Sequence, residues 1–475
     1  MDLLWTISDM ISVMHGRAHG NMPEGITGIS IDSRNMDQGG AFFAIKGDRF
    51  DGHEFVTSAL ANGAGVLVVA EEKIPSLVSL TAPMIIVEDV LVAMEALGRA
   101  ARARVAGKVI AITGSVGKTT AKEMLRTALS PSGKVHASVA SFNNHWGVPL
   151  TLARMPKDTD FGVFEVGMNH TGEIRTLIDM VQPHIALITT VEAAHMGNFN
   201  DITEIADAKS EIMEGVISEG SVVLNRDNDQ YDHLLERAEE LGMAQNSKSF
   251  GQDERSDFRL ISCKSHSDCS CFSMIIDGEE AAVKLGAPGD HLVQNALGVL
   301  GVCSLVGADM ARAALALADF SAEKGRGART QCSIGDGTFT LIDESYNANP
   351  ASMRAAISLL SSTDVGRGGR RIAVLGDMLE MGRFSEALHA ELAEPLYDAQ
   401  VDIVALSGQD MSHLADVLRG EIQVYYRSEI KAIIDWLVTK LRPGDVVMVK
   451  SSLGVGFGKI VKKLLEQFPE SNEQE

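Results

Sequence analysis

Positive charge is scarce in this chain. Its 475 residues carry 42 Lys and Arg against 64 Asp and Glu, a formal charge of −22. A surface that tracks a nucleic-acid backbone is therefore not expected, so no nucleic acid is counted among the partners. Anionic small molecules remain within reach of backbone N–H groups, helix N-termini and bound cations. Long apolar runs are also missing. No stretch approaches the ~18 uninterrupted apolar residues of a membrane span. The first residues, MDLLWTISDMISVMHGRAHG, carry Asp2 and Asp9 and no basic lead-in, and do not read as a secretory leader. Cysteines number five. An odd count in a large chain is no disulfide framework, and reduced thiols in a cytoplasmic protein are expected. Aromatics are only 5% of the residues.

What is present suits a globular protein, with 45% hydrophobic and 22% charged residues. The length exceeds what one core organises, and two to four domains are expected. The 45 glycines, set against few aromatics, favour an α/β fold with many strand–glycine–helix turns.

Three regions separate by pattern. Residues 1–85 hold short apolar runs, AFFAIKGD at 41–48, GVLVVA at 65–70 and MIIVED at 84–89, with helical stretches such as EFVTSALANG between them. Residues 86–325 start with a helical pattern at 89–107. Strand-length runs follow: VIAIT (109–113), FGVFEV (161–166), IALITT (185–190) and SVVLN (221–225). Strands apolar throughout and alternating with helices predict a parallel sheet covered on both faces. Residues 326–475 repeat the alternation with FTLID, RIAVLGD, DIVALSG and DVVMVK, and end in a polar tail expected to fray.

The chemistry concentrates in ITGSVGKTTAKEML, residues 112–125. The common phosphate loop, G-x-x-x-x-G-K-[ST], would need glycine where Ile112 stands. Here Gly114, Ser115, Val116 and Gly117 lead directly into Lys118, Thr119 and Thr120. A buried strand, a glycine turn and a helix starting at Lys118 would aim backbone N–H groups and the helix dipole at a phosphate. Lys118 would bridge β- and γ-phosphates and Thr119 would hold Mg²⁺. The plainer alternative is an ordinary strand–helix turn. Glu165 ends another apolar strand, at the sheet edge where ligands bind in open α/β sheets, and is either a metal ligand or a helix cap. His195 follows IALITT on the same edge and suits a metal or phosphate role, or a structural one. Lys209 sits on a helix with Ile205, Ala208 and Ile212. Nothing local distinguishes it from a solvated lysine. CKSHSDCSC, with Cys263, His266, Cys269 and Cys271, could hold zinc, but the spacing matches no common pattern and an exposed hairpin is the expectation.

TGSVGKTT, FEVGMNHTGEI, the histidine after IALITT and the AKSEI lysine occur together in an order similar to the Mur ligase family, ATP-dependent amide-forming enzymes with the same shortened loop. ISIDSRNMDQGGAFFAIKGDRFDGHEF resembles the family's UDP-binding module. SFNNHWGVPLTL, GDHLVQNALGVLG, DESYNANPASM and LGDMLEMG are most similar to the member that joins D-alanyl-D-alanine to UDP-N-acetylmuramoyl-tripeptide. The resemblance covers essentially the whole chain. It implies three domains: a UDP-substrate domain (1–85), a central phosphate-loop ATPase domain with a parallel sheet (86–325) and a Rossmann-like domain for the dipeptide (326–475). It also implies ATP and Mg²⁺, an acyl-phosphate intermediate, and a monomer.

By residue, the resemblance implies that Lys118, Thr119 and Glu165 hold the phosphates and one Mg²⁺. His195 would hold a second, with Lys209 matching a lysine that is carbamylated in the family. Asn295 would face adenine, Arg326 the phosphates, and Asp343 the ribose. Taken alone, these last three are a capping Asn, a surface Arg and a turn Asp. Ser33 and Arg34, with Asp51 and His53 nearby, are the candidates for UDP, Asn144 for the nucleotide sugar, and Asn347 and Asn349 for the dipeptide. One stretch departs from the family. Where Lys-Gly-Ser and a basic residue are usual, this chain has Lys450, Ser451, Ser452 and Leu453. The alternatives are a sister ligase, folate glutamylation, or a nucleotide switch. The Asp-Asn-Pro-Arg motif of the diamino-acid-adding relative is absent. The Asp-Ser-Arg module argues against the folate enzyme.

Overall fold

The computed structural model describes residues 3–471 apart from 48, 49, 78, 79, 140, 419 and 421. The last four residues of the polar tail thus lie outside the described residues, as does the end of AFFAIKGD. Three large sheets follow one another along the chain.

The first runs in the order Arg17–His19, Met84–Val87, Val66–Ala70, Ala41–Phe43, Ile29–Ser30, parallel except for its first pair. The strand Met84–Val87 straddles position 85. The helix Val90–Arg104 turns Val90, Ala93, Met94, Leu97 and Ala101 into the core of this sheet, together with Leu150 and Ala153 from the next region. Arg104 fastens the junction. Its guanidinium lies 3.5 Å from the Trp5 ring centroid and donates to the carbonyls of Leu4 and Met155. Trp5 Nε1 donates to Ala153 O at 2.8 Å.

The second sheet has nine strands, and Lys108–Thr113 lies inside it, between Ile185–Ile188 and Phe161–Glu165. Along Lys108–Thr113, Ile110 and Ile112 face one core, with Met124 and Leu125 of the helix Lys118–Leu129. Val109 and Ala111 face the other. That two-sided burial is why the strand reads apolar throughout. The expected parallel sheet is present, but it carries an antiparallel extension. Phe258–Ser265, Ser270–Ile276 and Glu279–Leu285 form a meander on its edge. The second hairpin turns on Asp277-Gly278, both at positive φ, as a two-residue turn between twisted strands requires. The cysteine cluster lies on the first hairpin, with Cys263 and Cys271 exposed and Cys269 buried.

The third sheet has six strands, in the order Ala328–Ile334, Gly337–Glu344, Val446–Lys450, Arg371–Gly376, Ile403–Ser407, Gln423–Tyr426. Only its first pair is antiparallel. Among the described residues, no helix is long and apolar enough to cross a membrane.

Candidate active site

The strand Lys108–Thr113 is the switch point of the nine-stranded sheet. The chain leaves it to one side for Val135–Ala137 and then Phe161–Glu165, and crosses to the other side for Ile185–Ile188. Ligands bind in the crevice such a reversal opens at the strand C-termini. A cavity of about 440 Å³ lies there, lined from both the second and the third sheets.

The phosphate loop forms its floor. Gly114 and Gly117 sit at φ +151° and +84°. A Cβ at Gly114 would land on Thr189 Oγ1, and one at Gly117 would come within 2.6 Å of Asn295 Oδ1. The loop is therefore closely overlaid, with Asn295 above its second glycine. Lys118 is set deep among protein atoms yet opens onto the cavity. Its Nζ donates to Gly114 O at 2.6 Å. Burial draws its pKa down, with Glu165 opposing and Arg326 adding to the fall. Thr119 Oγ1 donates to Glu165 Oε2 at 2.8 Å, and Asn143 Nδ2 donates to Glu165 Oε1 at 2.7 Å. Thr119 and Glu165 are both buried. A hydroxyl and a carboxylate side by side at a phosphate loop are the hard oxygen donors that Mg²⁺ takes.

From the third sheet come Arg326, Asn347, Asn349 and Lys450. Arg326 stacks 4.1 Å from the Tyr346 ring centroid and donates to Ser141 Oγ at 3.0 Å, which bridges the two sheets. Asn349 caps the helix Pro350–Ser362 by accepting from Ser352 N at 2.8 Å, and leaves Asn347 exposed to the cavity. Lys450 donates to Asn347 O at 2.9 Å and pairs with Glu344 at 3.2 Å.

His195, at φ +57°, reaches across the same gap to pair with Glu380, and Gly197 N donates to Glu380 O at 2.8 Å. It borders both the main cavity and a cleft of about 180 Å³ that holds Leu379 and Leu453. Lys209 is 2% exposed, which corrects the solvated lysine that its helix alone suggested. Burial first, and then the charge of Lys118, press its pKa well below that of an ordinary lysine. The neutral amine is the form that adds CO₂, and a lowered pKa favours that form.

Other candidates lie elsewhere. Asp343 is not part of the cavity lining. Its carboxylate accepts from Gly325 N at 2.9 Å and Ser345 Oγ at 2.6 Å, so it shapes the turn that presents Arg326. Asn144 Oδ1 accepts from Gly147 N, while its neighbour Asn143 lines the cavity. Ser33, Arg34, Asp51 and His53 sit apart from the cavity, around the first sheet. Arg34 is folded onto Asp32 but exposed, and its guanidinium holds the Asp32 carboxyl at about 2. Asp51 is shared between His53 Nδ1 at 2.6 Å and Lys73 at 2.7 Å, and His53 Nε2 accepts from Ala70 N. Those two side chains are engaged in holding the fold. Ser141, Asn143, Glu192, Tyr346 and Lys450 were not singled out as site residues from the sequence. Ser141, Asn143 and Tyr346 had a signal, since they stand in the SFNNHWG and DESYNANPASM stretches, and Lys450 stands in the stretch that departs from the family.

Comparison with known proteins returns one family in three consecutive pieces. The family catalytic domain matches residues 25–103, the Mur ligase middle domain residues 112–303, and the Mur ligase glutamate ligase domain residues 328–453. UDP-N-acetylmuramoyl-tripeptide–D-alanyl-D-alanine ligase from Rickettsia prowazekii is 31% identical over 91% of this chain and 94% of its own. The chain belongs to the Mur ligase family. A ligase of the same name from Synechocystis is 33% identical over 94% of this chain and 93% of its own. Among solved structures, MurF from Acinetobacter baumannii superposes with a TM-score of 0.82 at 30% identity, covering 97% of this chain and 99% of its own. MurF from Thermotoga maritima, solved with ADP, gives 0.75 at 25% identity over 93% and 97%.

Proposed function

We propose that this Mur ligase joins D-alanyl-D-alanine to UDP-N-acetylmuramoyl-tripeptide at the cost of one ATP. The observation that carries the reading is the agreement along the whole chain with ligases of that one name, from bacteria as different as Rickettsia and Synechocystis. The cavity supports it, because it places a phosphate loop opposite the exposed amide of Asn347.

A carboxylate does not acylate an amine, because its leaving group would be oxide. Transfer of the ATP γ-phosphoryl group to the tripeptide carboxylate gives an acyl phosphate and ADP. The amine of the dipeptide then displaces phosphate. Such transfer needs positioning and charge neutralisation more than covalent help. Backbone N–H groups of Val116 to Lys118 would cradle the phosphates, while that of Ser115 is held by Thr190 O. Lys118 and Arg326 would neutralise them from opposite walls of the gap, and Asn295 would meet the adenine. The donor set fits magnesium: Thr119 and Glu165 would hold one ion, and His195 with a carbamylated Lys209 a second. Bound there, Mg²⁺ spreads the charge that builds on the transferring oxygens. Asp343 would reach the ribose, or act through the Arg326 turn. Arg34 and Ser33 are the UDP contacts this reading keeps at the first sheet, with Asp51 and His53 shaping the wall beside them. Asn144 would meet the nucleotide sugar, and Asn347 and Asn349 the dipeptide. The division at 1–85, 86–325 and 326–475 assigns one ligand to each unit.

A cytoplasmic monomer is part of the proposal. The substrates are ATP and a UDP-linked peptide, and the two walls of the cavity both come from one chain. Mass spectrometry of the product tests the reading. Purified protein with ATP, Mg²⁺ and the tripeptide nucleotide is offered D-Ala-D-Ala, D-Glu or diaminopimelate. An amide formed only with D-Ala-D-Ala supports it, and a product with another amine overturns it.

A further inference from the structure

Among the described residues, three carboxylates line the cavity: Glu165, Glu192 and Glu344. Two have partners. Glu165 accepts from Thr119 and Asn143, and Glu344 is paired with Lys450. Glu192 stands apart. Its backbone is tied to the phosphate loop, since its N–H donates to Ser115 Oγ and its carbonyl accepts from that hydroxyl, both at 2.9 Å. Its carboxylate receives only Thr190 Oγ1, at 3.4 Å, and no cation among the described residues pairs with it. Within the same lining, Ala351 and Ala355 lie one turn apart on the helix Pro350–Ser362, where small side chains leave room. The other charges of the lining are cationic or titrate as bases: Lys118, Arg326, Lys450, His195 and His291.

An α-amine, with a pKa of about 8, reaches the site largely as an ammonium. Against that lining it finds one free anion. We infer that Glu192 receives the incoming amine, holding the ammonium of the dipeptide and taking one proton from it, so that the neutral nitrogen faces the acyl phosphate. This rests on the ligase reading above. The N–H bond breaks with its electron pair left on nitrogen and its proton on Glu192. Nitrogen bonds to the acyl carbon, and the carbonyl π pair moves to oxygen. On collapse the C–O bond to phosphate breaks. The phosphate takes that bonding pair and the second nitrogen proton, and departs as hydrogen phosphate. Glu192 then returns its proton to solvent. Burial and Asp229 raise the Glu192 carboxyl above its ordinary range, with Arg354 from the facing helix opposing. That brings the base nearer the working pH.

The test compares two nucleophiles on wild type and on E192Q, E192A and E192D. D-Ala-D-Ala must lose a proton, whereas hydroxylamine is already neutral at the assay pH and captures the acyl phosphate as a hydroxamate. The expected result for E192Q and E192A is a fall of about 100-fold or more in kcat/KM for the dipeptide, with hydroxamate formation within about threefold of wild type. E192D should recover part of the loss, and in E192A the acid limb of the dipeptide pH profile should move up toward the pKa of the free amine, about 8. Equal loss with both nucleophiles, or loss with neither, overturns the inference. Wild-type protein that forms neither amide nor hydroxamate overturns the ligase reading itself.

Discussion

Replacing Gly117 by alanine tests how tightly the phosphate loop is overlaid. Gly117 holds φ at +84°, where an L-residue costs about 1–2 kcal/mol. The new methyl would lie 2.6 Å from Asn295 Oδ1 and 2.8 Å from its Nδ2. Asn295 must leave its rotamer, at about 0.5–1.5 kcal/mol. The sum is about 1.5–3.5 kcal/mol. Where it is felt depends on the loop. If the loop keeps its shape, the loss falls on unfolding stability. If it relaxes in the free protein, binding must restore the shape, and affinity for ATP falls by about 10- to 400-fold. Urea unfolding and calorimetric titration with a non-hydrolysable ATP analogue together account for both. In urea unfolding, adding Asn295→Ala should recover the steric part and leave the backbone part, whereas in the titration it also removes the proposed adenine contact. Changes below about 0.5 kcal/mol in both assays would refute the argument, as would full recovery in the double variant.

Arg326→Ala removes a charge-assisted contact of about 1.5–3 kcal/mol across the gap, so nucleotide affinity should fall by about 10- to 150-fold. Small-angle scattering should also show less compaction on adding nucleotide and substrate. His184 Nδ1 accepts from Val109 N, and burial followed by Arg102 and Lys108 push its pKa down to about 4. An unfolded histidine takes its proton near pH 6.5 and the folded one resists to about 4, so thermal stability should fall as pH drops through that window. His184→Asn should flatten the profile. Of the five cysteines, Cys263 and Cys271 are exposed, while burial raises Cys303 to about 12 and Cys332 to about 11. A thiol reagent should label two sites quickly in native protein and the rest only on unfolding.

The strands that build the cavity were legible because each is buried on two faces, which gives an unbroken apolar run such as that of Val109 to Thr113. The loop was legible because glycine, lysine and threonine must be adjacent for a phosphate to be held, and Glu165 because it ends such a strand. The antiparallel edge was harder to read. Ser270–Ile276 alternates in burial and Phe258–Ser265 is exposed from Ile261 onward, both carry cysteines and serines, and the Asp277-Gly278 turn that announces the edge is only two residues long. Contacts across the gap left no local trace at all. Glu380 meets His195 from 185 residues away, and Arg326 reaches Ser141 from the same separation. Lys209 looked like a surface lysine because helix periodicity reports which face a residue is on, not what covers that face. Asp343 was assigned to the ribose by resemblance, and local geometry shows its carboxylate turned into its own loop.

The central claim is that the chain activates the tripeptide carboxylate by phosphorylation and passes the acyl group to D-Ala-D-Ala. Labelling that carboxylate with ¹⁸O tests it most directly. The account predicts that one ¹⁸O appears in the released phosphate and the other stays in the new amide, with turnover only when the dipeptide is present. Phosphate free of ¹⁸O, or released just as fast without D-Ala-D-Ala, would contradict it.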